Sequence, residues 1–349
     1  MLKWIQDEKA LGLEVEADRI RRHWTIPGRW RRRGKSATRQ GLRFLLVVAV
    51  AAAVGIPPNA AADPQYSDWS TPVNMGSTVN SAALDQGPAL SKDGLSLYIT
   101  SPRSGGSGGN DIWVSQRDSK DDAWGTPVNL GSTVNTEALE GAPTFSRDGH
   151  WMFFNSDRSA GYGGLDIWAS YRSDVHDDFD WEEPANLGSG VNTAFDDAGA
   201  SYFANDDEAD GGDVQLYFVS TRTGGSGFND VYVATQAADG SFGSVVRVEE
   251  LSSTGNDIRP SIRSDGLEMV FASNQSGGSG ALDLWVSTRG STTDDWDAPT
   301  NLGSGVNGAQ GDSQPYLSSD RETLIFTSNR AGGSGAFDLW MTTRTKSSG

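Results

Sequence analysis

The chain repeats one pattern five times, and this repetition limits its possible folds more than any other feature does. An Asp followed by two apolar residues recurs at positions 111, 166, 230, 283 and 338. Eight residues before each Asp stands an Arg, replaced by Gln275 in the fourth copy, and a glycine-rich stretch lies between them. A unit of this length cannot bury its apolar face alone, so neighbouring units must pack side by side.

Each unit is predicted to form four strands. An inner strand such as residues 143–146 ends at an Asp-Gly pair, which is typical of a tight hairpin turn. Alternating residues 151–154 form the second strand, and the glycine-rich stretch leads into the third, residues 166–171. A Trp-x-x-Pro-x-Asn-Leu-Gly segment, here Trp181 to Gly188, forms the fourth. In the third unit Phe242 replaces the Trp, and we expect an irregular outer strand there.

The two ends of the repeat region predict how the units are arranged. One outer-strand segment, Trp69 to Gly76, comes before any inner strand, and the last unit stops after its third strand at Arg344. The N-terminal segment must therefore complete the last unit. This closure makes a ring without exposed sheet edges. We predict an all-β, five-bladed β-propeller of four-stranded antiparallel blades over residues 63–349.

The repeats also resemble a known family. Residues 88–94 read Pro-x-x-Ser-x-Asp-Gly, and residues 101–113 read Ser-x-Arg-x-Gly-Gly-x-Gly-x-x-Asp-Ile-Trp. These motifs resemble the WD40-like repeats of TolB-type propellers, over residues 68–344. The Asn-Leu-Gly and Val-Asn-Thr segments are similar to versions in bacterial envelope proteins, often beside OmpA-like peptidoglycan-binding domains. The resemblance implies binding or scaffolding in the envelope, but the sequence has no OmpA-like domain.

Residues 1–62 are predicted to be a signal peptide. Seven Arg and Lys residues between positions 29 and 43 precede the apolar run Leu45 to Ile56, and Ala60 to Ala62 supply an A-x-A site. Twelve apolar residues are short of the roughly 20 that span a membrane, so an uncleaved anchor is the less favoured alternative. The absence of cysteine excludes disulfides, thiolate zinc sites, cysteine nucleophiles and a lipid-anchored mature N-terminus. We expect a periplasmic or extracellular protein that would meet the membrane only through an uncleaved signal.

The charge balance differs between these two parts. The whole chain carries a formal charge of −18, but residues 1–62 hold 12 Lys and Arg against 5 Asp and Glu. The remaining chain therefore carries about −25. Binding to nucleic acid depends on Lys and Arg that neutralise phosphates, so we expect no nucleic-acid partner.

One carboxylate per unit stands three residues before the inner-strand Pro position. We call these five the ring carboxylates: Asp85, Glu140, Asp197, Asp257 and Asp312. In a propeller these positions surround one mouth of the central channel, where five acids would concentrate negative potential. They are predicted as a ligand-binding site for a hard cation or a basic peptide. The alternative is that each acid accepts backbone N–H groups of its own loop. The Arg and Asp eight residues apart are expected to form an ion pair within each unit.

An acidic insertion in the third unit is a second candidate site. Asp206, Glu208 and Asp210 fit the first half of an oxygen-ligand calcium loop, and Asp213 follows. Position twelve is Tyr217, so the bidentate Glu of an EF-hand is missing. Calcium is therefore the one cofactor considered, against the alternative of a solvated acidic loop.

These features leave three hypotheses for function. The leading one is an exported, non-enzymatic binding module that captures an envelope protein, a basic peptide or a glycan-like polyol at the channel mouth. The second is a carbohydrate-active enzyme, a polysaccharide lyase or glycosidase, that uses the ring carboxylates. The third is a passive structural scaffold. We identify no catalytic residues, because His150 and His176, the two histidines beyond the signal peptide, have no motif partner.

Overall fold

A computed structural model of the protein describes residues 66–205 and 214–346. They form five four-stranded antiparallel sheets, which confirms the predicted five-bladed β-propeller. In chain order the strands are β1 Val73–Asn74; β2 Gln86–Leu90, β3 Ser96–Ser101, β4 Asp111–Gln116 and β5 Val128–Asn129; β6 Glu140–Phe145, β7 Trp151–Ser156, β8 Asp166–Tyr171 and β9 Ala185–Asn186; β10 Asp197–Ala204, β11 Val214–Ser220, β12 Asp230–Gln236 and β13 Phe242–Arg247; β14 Asp257–Ile262, β15 Glu268–Ser273, β16 Asp283–Thr288 and β17 Thr300–Asn301; β18 Asp312–Leu317, β19 Thr323–Ser328 and β20 Asp338–Thr343. A short 3-10 helix, Glu249–Leu251, follows β13.

No helix among the described residues has the length and apolarity needed to cross a membrane. The predicted signal peptide lies outside the described residues.

The last blade closes the ring as the sequence predicts. Its strands follow the order β1-β20-β19-β18, so the N-terminal strand forms the outer edge. Val73 pairs with Met341 and Asn74 with Trp340. An isolated antiparallel bridge between Tyr66 and Lys346 continues this contact beyond the strands. Both ends of the described chain therefore meet at the outside of the last blade.

The outer strands reflect the sequence difference in the third unit. In the other four blades the outer strand has two residues, whereas β13 has six and contains a register shift. Phe242 takes the place of the repeated Trp and is buried. The expected irregularity of this strand is confirmed.

The hydrophobic core lies between neighbouring blades. Five clusters of buried side chains are present, one at each blade–blade interface. Between the second and third blades, for example, Phe153 of β7 packs in the same cluster as Phe218 of β11. Because each sheet buries apolar side chains against both neighbours, the ring as a whole is the stable unit.

The inner strands β2, β6, β10, β14 and β18 surround the central channel, and each contains a bulge. The register with the second strand shifts at the same place in every blade. Within the bulge one residue has a positive φ, between 50° and 62°. These five residues, which we call the bulge residues, are Gly87, Ala142, Gly199, Arg259 and Gln314. Each stands two positions after a ring carboxylate.

Candidate functional site

The structure places every ring carboxylate at the start of an inner strand, and all five are fully buried. Each accepts a hydrogen bond from the backbone N–H four residues earlier in its own loop. The N···O distance is 2.5 Å for Ser81 and Asp85, 2.7 Å for Thr136 and Glu140, and 2.6 Å for Thr193 and Asp197. This is the contact that local loop organisation predicts. Binding of a cation or a basic peptide by the ring stays a prediction.

Four ring carboxylates also form buried ion pairs with the repeated arginines. Arg103 pairs with Asp85, Arg158 with Glu140, Arg222 with Asp197 and Arg330 with Asp312. The expected ion pair with the Asp eight residues later is therefore wrong. That Asp, for example Asp111, instead accepts the N–H groups of Ser107 and Gly108 and the side-chain amide of Asn129. It organises the glycine-rich loop, while the Arg bridges two strands of its blade.

The fourth blade lacks this ion pair. Gln275 stands where the other blades have Arg, and Asp257 accepts hydrogen bonds from Ser253 and Ser273. Burial without a cationic partner raises the pKa of Asp257. Asp257 is therefore a buried carboxylate in a site built for an ion pair.

The predicted calcium loop cannot be placed. Asp206, Glu208, Asp210 and Asp213 lie outside the described residues, and calcium binding there stays a prediction. Among residues 66–205 and 214–346, no group of three or more His, Asp and Glu side chains is arranged to hold a metal ion.

A cavity occupies the central channel on the opposite side from the ring carboxylates. Its volume is about 340 Å³, within the range of small-molecule sites. The inner strands of all five blades line it with the residues that follow each bulge, up to the turns between first and second strands. Its walls include the aromatic side chains of Phe145, Tyr202, Phe203 and Tyr316. Four of the bulge residues lie between this cavity and the ring carboxylates in their inner strands, whereas the bulge residue of the fourth blade, Arg259, itself lines the cavity.

The charge of the cavity wall is opposite to that of the protein. The wall contains Lys92, Arg147 and Arg259, and no Asp or Glu of the described chain lines it. Arg259 is the most unusual of these side chains, because its Nη1 is buried without a hydrogen-bond partner. Burial lowers the pKa of Arg259 to about 10, which leaves the guanidinium protonated at neutral pH.

Sequence reasoning missed this cavity because it followed the residue type that repeats. At the bulge position the residue changes from blade to blade, through Gly, Ala, Gly, Arg and Gln. The signal in the sequence that pointed to this cavity was Arg259, a charged residue at a position where the other four units have small or neutral residues.

No family model matches the chain, and no curated protein matches it. Solved structures do share its fold. An α-L-arabinofuranosidase from Lactobacillus brevis aligns with a TM-score of 0.51 at 10% identity, over 78% of this chain and 92% of that one. An exo-β-1,3-galactanase from Phanerochaete chrysosporium aligns with a TM-score of 0.50 at 14% identity, over 78% and 64%. A protein described as TolB from Agrobacterium tumefaciens gives 0.44 at 14% identity, over 77% and 80%.

These neighbours correct the functional prediction. The leading hypothesis of a non-enzymatic binding or scaffolding module is wrong, because the propellers that share this fold with the higher TM-scores are glycosidases. They favour the second hypothesis, a carbohydrate-active enzyme. At 10–14% identity the likeness itself establishes only the propeller fold. The activity must therefore be argued from the channel.

Proposed function

We propose that the protein is an exported carbohydrate-active enzyme that holds its substrate in the channel cavity. One observation carries this proposal: five inner strands converge on a concave site of about 340 Å³ with aromatic walls and a few polar groups. Ligand sites typically combine such an apolar concavity with a small number of placed polar groups. The TolB-type repeats of the sequence support the exported setting.

The cavity wall suits a sugar. Tyr202 and Tyr316 are half-buried at the cavity wall and offer aromatic surface, against which the C–H face of a sugar ring can pack. The hydroxyls of Ser201 and Ser261 each accept a backbone N–H of the next blade, from Ile262 and Leu317. Neither O–H donates to another described group, so both remain available to a ligand hydroxyl or carboxylate.

The catalytic groups in this proposal differ from those expected from the sequence. The ring carboxylates are buried and bound to their own loops, on the other side of the bulges from the cavity. Glycoside hydrolysis uses two carboxyl groups that face the scissile bond, and the described wall of the cavity supplies none. A lyase instead needs a cation beside the sugar carboxylate and groups that move a proton. The cationic wall therefore favours the lyase class over the glycosidase class.

Tyr316 can take part in such chemistry only as a protonated phenol. Its hydroxyl donates to the Leu90 carbonyl at 3.0 Å, and burial raises its pKa to about 12. The phenol therefore stays protonated at neutral pH. Because its single O–H is donated to Leu90, the phenol oxygen can orient a sugar by accepting a hydrogen bond, but it cannot act as the base without a large shift in its pKa.

The test is depolymerisation of a panel of polysaccharides, neutral arabinan and galactan and acidic polygalacturonate and alginate. New reducing ends report any cleavage, and ultraviolet absorbance of an unsaturated product reports elimination alone. Ser264→Trp places a large ring in the cavity wall, and we expect at least about a tenfold loss of activity because the substrate is excluded. Ser159→Trp makes the same change in an exposed loop on the opposite face and should keep full activity. Absence of cleavage on the whole panel, or equal activity in both variants, would refute the proposal.

A further inference from the structure

Arg259 occupies a backbone position that suits glycine. Its φ is 54°, and the equivalent residues of the first and third blades are Gly87 and Gly199. A positive φ costs an L-residue roughly 1 kcal/mol relative to glycine. Strain of this kind gathers at functional sites, where the observed outlier raises a hypothesis of function. The fourth blade keeps a long cationic side chain where the simplest residue would fit better.

The neighbouring blade is adapted to this arginine. A Cβ on Gly199 would lie 3.0 Å from Cδ of Arg259 and 3.6 Å from its Cα. The aliphatic part of Arg259 therefore crosses the face of the third blade at a glycine, and a side chain at position 199 would displace it. The aliphatic part of Arg259 therefore packs against the inner strand of the third blade.

The guanidinium of Arg259 has no counter-charge among residues 66–205 and 214–346. Its Nη1 is buried and unpartnered, and no carboxylate of the described chain forms an ion pair with it or lines the same cavity. A buried charge is costly unless it is paired and hydrogen-bonded. Burial alone accounts for the lowered pKa of Arg259, so no acid compensates for the desolvation. A bound anion would supply the missing partner.

The other polar groups near Arg259 are donors as well. Ser261 stands two residues after Arg259, Ser201 stands two residues after Gly199, and each hydroxyl is free to donate. An arginine fork with two hydroxyl donors matches the two oxygens of a carboxylate. We propose that Arg259 binds the carboxylate of an acidic sugar, so that the channel takes saccharides that contain uronic acids. The sugar part of this inference rests on the proposed function, and the anion part rests on Arg259.

The test compares sugars that differ only at C6, glucuronate with glucose and galacturonate with galactose, by calorimetry and thermal shift. A charge-assisted contact corresponds to about a tenfold to hundredfold preference for the acid, since 1.4 kcal/mol is tenfold. Arg259→Gln copies the residue that the fold already holds at position 314, and Arg259→Gly copies positions 87 and 199. We expect both variants to lose that preference and to keep their weak binding of neutral sugars. Lys120→Gln removes an exposed cation that does not line the cavity, and it should keep the preference.

A melting measurement separates a ligand-binding role from a structural one. Because the unpaired cation has no partner to lose, Arg259→Gln should melt at the same temperature as the wild type or higher. A clear drop in melting temperature would make Arg259 structural and overturn the proposal. Equal binding of glucuronate and glucose by the wild type would overturn it without any variant. Acetate that binds as tightly as glucuronate would remove the sugar part.

The two proposals can fail separately. Binding of uronates without cleavage of any polysaccharide refutes the enzyme and keeps the carboxylate site. Cleavage of neutral polysaccharides without preference for uronates refutes the carboxylate site and keeps the enzyme.

Discussion

The missing arginine of the fourth blade offers a direct test of what the ion pairs contribute. Gln275→Arg should restore the pair with Asp257. The backbone is already in place, because the N–H of Gln275 binds Ser273 Oγ as the N–H of Arg330 binds Ser328 Oγ. Trp285 is also in place. In the first, second and last blades the Cζ atom of the arginine lies 5.1–5.6 Å from the ring centroid of the equivalent Trp.

The gain follows from the contacts that the other arginines make. Arg330, for example, donates to Ser328 Oγ, to the Val306 carbonyl and to Asp312. A hydrogen bond to a charged group contributes about 1.5–3 kcal/mol, and ordering a long side chain costs about 1–2 kcal/mol. The expected net gain in the free energy of unfolding is about 1–2 kcal/mol. For a protein of this size it should raise the melting temperature by roughly 2–8 °C.

The gain must also depend on pH. Burial raises the pKa of Asp257 above its ordinary value of 3.8, so the folded protein binds this proton more tightly than the unfolded chain does. The charged side chain therefore destabilises the fold as the pH rises through the folded-state pKa. Gln275→Arg removes this penalty, so its benefit should be full near pH 7 and should shrink as the pH falls toward 4.

Melting by circular dichroism at several pH values measures both effects. The matched variant is Arg330→Gln, which places in the last blade the residue that the fourth blade has at this position. It leaves Asp312 without its ion-pair partner. It should lose about 3 kcal/mol at neutral pH, because a buried carboxylate loses its partner. If Gln275→Arg does not stabilise the protein at pH 7, or stabilises it equally at pH 4, the pairing argument is wrong.

Three further predictions concern loop packing, a buried network and ring closure. Gly108→Ala should lower the free energy of unfolding by about 1–3 kcal/mol in chemical denaturation, because its Cβ would overlap backbone carbonyls of the next blade. Gly109→Ala has open space around it and should leave the stability unchanged. Equal effects of the two variants would contradict this. Asp178 accepts four side-chain hydrogen bonds, one of them from Arg172. Asp178→Asn should therefore lower the free energy of unfolding by about 3–5 kcal/mol and lower the denaturant midpoint. An unchanged midpoint would contradict this. Removal of residues 66–76 should expose the edge of β20 and promote aggregation, measured by light scattering, and a soluble monomer would contradict it.

The sequence was sufficient for the architecture because the repeat carries it. The five repeated units, each with a turn signal and an Asp followed by two apolar residues, predict blade number, strand order and closure. The spacing of Asp85 and its equivalents predicts their place at the inner strands. The partner of Arg103 was misjudged because sequence distance was used as a guide. Asp111 is eight residues away and Asp85 is 18, but the β2–β3 hairpin brings the more distant one into contact.

The channel site could not be predicted for a different physical reason. Arg259 precedes Pro260, and a residue before proline is expected to be extended. The bulge gives it a positive φ instead, and so determines where its side chain lies. That conformation accompanies the register shift between the inner strand and its neighbour, which is a property of the folded sheet.

Closure of the last blade has a mechanical consequence. Strand β1 contributes two residues to the last blade and is far in the chain from the other three strands of that blade. In every other blade the outer strand directly follows the third strand along the chain. A force applied between the two ends of the propeller therefore acts first on the short ladder between β1 and β20. The ring should open there before any blade unfolds, and amide hydrogens of β20 should exchange before those of β8 and β16. The seam that makes the ring continuous is thus also the place where it is expected to come apart.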